Sequence, residues 1–375
     1  MIIGIDGNEA NVINRVGVNQ YGFELLWGIY KLQDEWKNEH KIIVFLKKEP
    51  LKDLPEESEY FKYKVLSGTS MWIIKKLTPY LLFSRSKPDI FFTPSHYVPL
   101  FSPMPRICSI MDLGFLNFST QFKKLVLWQL KLWSAFSVFV SKRVIAISNS
   151  TKDDIVRHYP FASRKTYVTH LAYDSSKYNV NVPEKDVRRI KEKYTIVDDY
   201  ILFLSTLKPS KNVEGLIDAY KLVRTKYPKI TLVIGGKKGW MYESIFRKVQ
   251  NLGLEKNIIF TGFVDEKDKP ALFKGAKLFV LPSFWEGFGL DVLNSLACGI
   301  PVVVSKAGSL PEVAGNPGIY VNPNDPNDIA SGINKVLSMS DLEYNKIVEE
   351  GLKQAKKFSW KKTARETLKI LIATK

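Results

Sequence analysis

Short apolar runs of strand length recur along the first part of the chain, and each is followed by a helical or loop segment. They cover residues 2–5, 42–46, 90–92, 107–110 and 144–147. Strands that are buried on both faces read as continuous apolar runs, and their alternation with helices favours a parallel sheet covered by helices. The pattern therefore predicts a first α/β domain over residues 1–180.

A second series of apolar runs follows a polar, charge-rich stretch at residues 173–197, which contains Pro183 and is the predicted linker. The runs cover residues 200–204, 231–234, 257–260, 277–281, 302–304 and 319–321. We expect a second doubly wound α/β domain over residues 181–355. The remaining residues 356–375 should form a helix that Ser359 caps, with an apolar face of Ala364, Leu368 and Leu371.

The composition is that of a globular protein, since the 375 residues are 45% hydrophobic and 25% charged. Cys108 and Cys298 lie far apart in apolar stretches, which is typical of buried thiols and not of a disulfide or metal framework. No basic leader precedes the first strand. The most apolar long stretch, residues 125–140, contains Lys131 and is shorter than the roughly 20 residues of a spanning helix. We expect a cytoplasmic protein.

The formal charge of +17 calls for an acidic partner. Between Lys62 and Arg143 the chain has twelve basic residues against two acids, and it also carries Trp72, Trp128 and Trp133. Basic residues mixed with tryptophans fit a peripheral position on an anionic membrane surface, at the inner face of the cell membrane. Alternatively, the aromatic residues pack in a core and the lysines are solvated. Nucleic acid is not the expected partner, because no nucleic-acid-binding module is recognised.

The most informative residues for chemistry follow the apolar run at residues 277–281. Glu286 lies in a short loop there, before a predicted helix that Gly299 ends. Gly287 and Gly289 permit close approach of the backbone to a ligand, and the first amides of the helix attract an anion such as a diphosphate. A solvated acid beside a glycine turn is the alternative interpretation. The loop position at the carboxyl end of a parallel strand favours a ligand site.

A second candidate lies after the run at residues 200–204. Lys211 is expected near the N-terminus of the helix that follows, where a cation can neutralise a leaving diphosphate. Lys208 is a possible second cation, or an ordinary surface lysine.

The segment 282–304, with Glu286, the Gly-Phe-Gly-Leu run after it and Ala-Cys-Gly-Ile-Pro-Val-Val further on, resembles the retaining GT-B glycosyltransferases of family 4. The resemblance implies two Rossmann-like domains facing each other across a cleft, with the C-terminal helix crossing back to the first domain. The first domain would bind the acceptor and the second the nucleotide sugar. Two positions of the second domain depart from the family: Asn294 replaces a second acid, and Ser210 replaces an arginine.

The resemblance also implies a set of donor-binding residues. They are Gly17, Ser205, Thr206, Lys211, Gly262, Phe263, Val264, Glu286, Gly287, Phe288, Gly289, Leu290, Asn294 and Ser309. In the first domain Asn19 replaces a family glycine and Met111 replaces a family histidine. Asp112, beside Met111, is either a catalytic ligand contact or a cap for local amides.

The implied activity is retaining transfer of a hexose, with Glu286, Lys211 and Asp112 as catalytic residues. The expected donor is GDP-mannose over a UDP-sugar, and the acceptor is a saccharide or a lipid-linked saccharide. No cofactor is expected, and the sequence has no Asp-x-Asp motif or ligand spacing for a metal ion. The alternative is a non-catalytic GT-B relative that binds a saccharide or a protein, which the substitutions at Asn19, Met111, Ser210 and Asn294 favour.

Overall fold

The computed structural model describes residues 1–119 and 123–374, and its contacts divide the chain into two compact units. The first unit comprises Met1–Leu171 and Ser359–Lys375, and the second comprises Ala172–Phe358. The sequence pattern placed the two boundaries at residues 180 and 355.

The described part of the first unit contains a parallel sheet. Its strands are β1 (Ile2–Asp6), β2 (Lys41–Leu46), β3 (Phe61–Val65), β4 (Ile90–Thr93), β5 (Arg106–Ile110), β6 (Arg143–Ala146) and β7 (Thr166–Val168). Its helices before residue 171 are α1 (Val18–Lys31), α2 (Gln33–Trp36), α3 (Thr78–Phe83), α4 (Gly114–Asn117), α5 (Lys124–Val140) and α6 (Asn149–His158). The strand order is β3-β2-β1-β4-β5-β6-β7.

The second unit repeats this plan with a six-stranded parallel sheet. Its strands are β8 (Tyr200–Leu204), β9 (Thr231–Gly235), β10 (Ile258–Gly262), β11 (Leu278–Leu281), β12 (Val302–Ser305) and β13 (Ile319–Val321). Its helices are α7 (Glu184–Lys193), α8 (Val213–Lys226), α9 (Glu243–Asn251), α10 (Lys269–Lys274), α11 (Leu290–Ala297), α12 (Leu310–Ala314), α13 (Pro326–Leu337) and α14 (Asp341–Ala355). The strand order is β10-β9-β8-β11-β12-β13.

Both orders are those of a doubly wound Rossmann-like sheet, in which the direction of winding reverses between the first and fourth strands. The predicted α/β class with two Rossmann-like domains is confirmed. In the second unit the reversal lies between β8 and β11. Ligands of such sheets bind at the carboxyl ends of strands beside this reversal, so β8 and β11 mark the expected site.

Central strands are buried along their whole length, which is why they read as continuous apolar runs. All residues of β4, β8, β11 and β12 are buried. The apolar runs did not predict β3 and β7, which are the edge strands of the first sheet. In β3 the buried Phe61 is followed by exposed Lys62 and Lys64, and β7 is only three residues long.

The last helix, α15 (Trp360–Ile372), belongs to the first unit. The Ser359 hydroxyl accepts a hydrogen bond from the Lys362 amide and caps it, and the predicted apolar face is buried. The helix packs closely against α1, because a Cβ atom at Gly28 would lie 2.8 Å from the Ala364 Cβ. Among the described residues, no helix has the length and apolar character needed to cross a membrane.

Candidate active site

Glu286 is buried in the loop between β11 and α11, with only 8% of its surface exposed. Its Oε1 atom accepts a hydrogen bond of 2.9 Å from the Ser283 hydroxyl and one of 2.5 Å from the Lys211 ammonium group. A buried carboxylate requires a charged partner or hydrogen-bond donors, and Glu286 has both. The sequence-based interpretation of Glu286 as a solvated loop acid is therefore wrong.

Lys211 reaches Glu286 from the loop after β8, at the end of a 3-10 turn that precedes α8. Asn212 adopts a left-handed conformation at φ 53° and donates its side-chain amide to the carbonyls of Pro282 and Pro323, at 3.2 and 2.6 Å. The Phe284 amide donates to the Ser210 carbonyl at 2.9 Å. These bonds tie the β8 and β11 loops together, so the lysine and the glutamate are held as a pair.

A third loop, after β12, supports the Glu286 backbone. The Ser309 amide and hydroxyl each donate to the Glu286 carbonyl at 3.1 Å. The Ser305 hydroxyl donates to the Ser283 carbonyl at 2.5 Å. Gly308 has φ 57°, and a Cβ atom there would lie 2.2 Å from the Glu286 carbonyl oxygen, so this contact requires glycine.

The segment after Glu286 turns directly into α11. Gly289 precedes the helix at φ 88°, and it provides no side-chain cap for the amides of the first turn. Phe288 is 3% exposed and packs edge-on against Phe358 with ring centroids 5.8 Å apart, so its role is to anchor the loop in the core. Gly287 and Leu290 are partly exposed beside it. The uncapped N-terminus of α11 and the Lys211 ammonium are groups of the kind that bind anions in proteins.

Other residues of the second unit that the resemblance implies as donor-binding also lie at carboxyl ends of strands. Partly exposed Ser205 and Thr206 follow β8, and Gly262 ends β10 at φ 68°. Phe263 is 44% exposed, whereas Val264 is 1% exposed and belongs to the core. The sheet thus brings these residues to the same edge as Glu286.

Comparison with known proteins finds a family match over the second unit. Residues 186–354 match the family model described as Glycosyl transferases group 1. These residues form a glycosyl transferases group 1 domain. The match contains Lys211, Glu286 and the loops around them.

Two curated relatives and one solved structure extend the comparison. The chain is 34% identical over 233 residues to the O-antigen chain mannosyltransferase B of Escherichia coli, covering 61% of this chain and 60% of that protein. It is 31% identical over 167 residues to a GDP-mannose-dependent alpha-(1-6)-phosphatidylinositol monomannoside mannosyltransferase of Mycolicibacterium smegmatis, covering 42% and 44%. The matches thus span less than two thirds of these relatives. A crystal structure of Anabaena Alr3699/HepE in complex with UDP and glucose superposes with a TM-score of 0.75 at 18% identity, covering 99% of both chains, and has the same GT-B fold.

The glycosyl transferases group 1 domain contains a further, partly buried carboxylate that the sequence analysis did not select. Asp291 lies in the first turn of α11, and burial raises its pKa while the Lys269 ammonium opposes that shift. The Asn294 side-chain amide nitrogen lies 3.4 Å from its Oδ1 atom. Asn294 is 4% exposed, and its Oδ1 atom has no hydrogen-bond partner among the described residues. In the sequence, the position of Asp291 at the start of a predicted helix, five residues after Glu286, could have marked it as a candidate site residue.

The remaining candidates lie in the first unit. Gly17 precedes α1 at φ 54°, and a Cβ atom there would meet nothing within 4 Å. Asn19, in the first turn of α1, donates its side-chain amide to the Glu9 carboxylate at 2.6 Å, and burial raises the pKa of Glu9. The Asp112 carboxylate accepts a 2.8 Å hydrogen bond from the Gly114 amide at the start of α4. That contact corresponds to the capping alternative for Asp112.

Metal-ligand clusters are absent from the part of the chain that the structure describes: no three His, Cys, Asp or Glu side chains are arranged to hold an ion.

Proposed function

We propose that this protein is a retaining glycosyltransferase that moves mannose from GDP-mannose to a saccharide or lipid-linked saccharide acceptor. The observation that carries the proposal is the buried Lys211–Glu286 pair at the carboxyl ends of β8 and β11, inside a glycosyl transferases group 1 domain. Its expected location is cytoplasmic, at the inner face of the membrane where a lipid-linked acceptor would be found.

In this proposal Lys211 and the N-terminus of α11 bind the diphosphate. As the bond between the sugar C1 and the phosphate oxygen breaks, negative charge grows on the leaving diphosphate. A fixed cation and oriented amides stabilise that charge without having to reorganise. Because Glu286 already holds Lys211 before a ligand binds, the ammonium group is preorganised for the reaction.

Glu286 binds hydroxyl groups of the donor sugar. Its Oε1 atom is occupied by Lys211 and Ser283, which leaves Oε2 to accept from the sugar. The acceptor oxygen forms its bond to C1 on the face that the diphosphate leaves, and its proton passes to the departing phosphate oxygen. No side-chain base is needed for that step, so Met111 in place of a histidine is compatible with turnover.

The choice of GDP-mannose is supported by the names of the two mannosyltransferase relatives, one of which is GDP-mannose-dependent. The Anabaena structure contains UDP, but at 18% identity it does not indicate which nucleotide this chain binds. The proposal includes no metal ion and no cofactor.

The test compares wild type with Lys211→Met in thermal unfolding with GDP, UDP, GDP-mannose and UDP-glucose, and then in mannose transfer to a saccharide acceptor. A ligand at 100 times its Kd adds roughly 2.7 kcal/mol of stability. We expect GDP and GDP-mannose to stabilise wild type, and Lys211→Met to lose that effect. Lys221→Met, an exposed lysine on α8, is the matched control and should behave as wild type.

A non-catalytic saccharide-binding relative is the second candidate, because Asn19, Met111, Ser210 and Asn294 depart from the family pattern. Stabilisation by GDP-mannose without any transfer, unchanged by Glu286→Gln, would favour this candidate. If none of the four nucleotides stabilises the protein, the proposed donor site is refuted.

A further inference from the structure

Helix α5 presents apolar side chains to solvent. Leu125, Trp128, Leu132 and Phe139 are 86%, 64%, 63% and 70% exposed. Their spacing of three, four and seven residues places them along one face of the helix. Phe161, 55% exposed, extends the face because its ring packs edge-on against Phe139 with centroids 6.0 Å apart. We call these five residues the α5 patch.

The inward side of the same helix includes small polar residues among its apolar ones. Ser134 and Ser137 are 1% and 0% exposed, and the Ser137 hydroxyl donates to the His96 carbonyl. A helix at a water-exposed surface carries polar residues on its outward face, whereas α5 carries large apolar residues there. Helix α7, in the second unit, follows that rule, with Val187 and Ile190 as its buried residues. The outward face of α5 therefore suits an apolar environment.

The core beneath α5 is complete without the patch. Leu127, Leu130, Phe136 and Val140 supply its packing against the buried cluster under the helix. The patch side chains remain exposed after this packing, and several large apolar side chains along one exposed helix face are typical of an interaction site.

Positive charge surrounds the patch. Exposed Lys123 and Lys124 stand at the N-terminus of α5, and Lys131 follows within the helix. Lysines at a helix N-terminus oppose the helix dipole, so their placement there does not serve helix stability. No acidic residue occurs in the sequence between Asp112 and Asp153. The partner of this surface must therefore combine an apolar layer with negative charge.

We propose that the α5 patch docks on a lipid bilayer with anionic headgroups. The apolar side chains would lie at the boundary of headgroups and acyl chains, and the lysines would contact the headgroups. Helix α5 lies parallel to the membrane in this arrangement, since no described helix has the properties of a membrane span. A second copy of the chain is a poorer partner, because a symmetric contact would bring the same lysines together without an acid to pair them. This inference does not depend on the donor site.

The test measures co-sedimentation of the full-length protein with two kinds of vesicle. One is phosphatidylcholine alone, and the other also contains about 30% phosphatidylglycerol, which gives it an anionic surface. We expect binding to the anionic vesicles. Leu125→Ser/Trp128→Ser/Leu132→Ser should weaken it at least about tenfold, since apolar burial drives the insertion. The control Leu342→Ser replaces an equally exposed leucine, 82% exposed, in the second unit and should bind as wild type.

A charge-reversal set completes the design. Lys123→Glu/Lys124→Glu/Lys131→Glu should weaken binding by about fivefold or more per lysine. The control Lys185→Glu/Arg188→Glu/Lys229→Glu changes the net charge equally on the second unit and should weaken binding much less. Equal losses in the two sets would overturn the assignment to α5, as would absence of binding to anionic vesicles.

Two readouts keep the test valid. Trp128→Phe should reduce the blue shift of tryptophan fluorescence on adding anionic vesicles, without the risk of unfolding that a triple change carries. Analytical ultracentrifugation without vesicles addresses the second-copy alternative. A wild-type dimer that the serine substitutions dissociate would overturn the membrane assignment.

Discussion

The Lys211–Glu286 pair provides the sharpest test of the site, because its two charges are buried against each other. Both residues are about nine-tenths buried, at 9% and 8% exposure, and the ammonium and carboxylate groups are 2.5 Å apart. Removing one partner leaves the other as an unpaired buried charge, which costs about 3–5 kcal/mol. We therefore expect Lys211→Met and Glu286→Gln each to destabilise the second unit by that amount.

The double variant should be much less harmful than the sum of the single changes, because neither charge is then left unpaired. We expect a coupling energy of about 2–3 kcal/mol between the two positions. The free energy of unfolding of the second unit is measured in urea by hydrogen exchange at amides of that unit. Unfolding of the first unit then does not contribute to the measured value.

The Lys248–Asp218 pair in the same unit is the matched control. Its charges are also 2.5 Å apart, but its side chains are 26% and 36% exposed. The same cycle there should give a coupling energy below about 1 kcal/mol. Additive losses at Lys211 and Glu286, or equal coupling energies in the two cycles, would refute the argument from burial.

Three further predictions follow from single contacts. Glu286→Gln should bind GDP at least as tightly as wild type in calorimetry while losing transfer, because it removes a negative charge from beside the diphosphate and frees Lys211; weaker GDP binding would contradict this. Gly308→Ala should lower the free energy of unfolding more than Gly253→Ala does. Both glycines have positive φ, where a Cβ atom costs about 1–2 kcal/mol. Only the Cβ at Gly308 would in addition lie 2.2 Å from a carbonyl oxygen. Burial raises the pKa of Asp6 from 3.8 to about 6, so its contribution to stability is present below pH 4 and is lost as the pH rises through 6. Asp6→Asn should accordingly gain up to about 3 kcal/mol over wild type between pH 4 and pH 7 in urea unfolding, and a pH-independent difference would exclude this assignment.

The sequence predicted the central strands because burial on both faces leaves only apolar residues in them. All five residues of β8 are buried, and residues 200–204 read as one run. The edge strand β3 was missed because its outer side is solvated, so lysines alternate with its aromatic residues. The same reasoning explains β7, which is too short to show a pattern.

At the candidate site the sequence pointed to Lys211 and Glu286 because glycines and helix starts mark loops at strand ends. The supporting hydroxyl groups could not be found in this way. Ser283 and Ser305 meet only because β11 pairs with β12 in the register that places Leu281 beside Val304. A serine at a strand end has no periodic signal, so its partner depends on a register that the sequence does not specify.

The pairing of Asp291 with Asn294 explains why an amide is compatible with this site. Burial raises the pKa of Asp291, and the nearby carboxylates of Glu266 and Glu286 raise it further against the Lys269 ammonium. An acid at position 294 would add another carboxylate beside Asp291, where its repulsion would make the ionised forms still less favourable. Asn294 instead donates toward Asp291 and keeps an unpaired Oδ1 atom, so the position can still accept a hydrogen bond from a ligand hydroxyl. Asp291 therefore supplies a carboxylate one helical turn before Asn294, and Asn294 itself keeps a hydrogen-bond acceptor that faces no described partner.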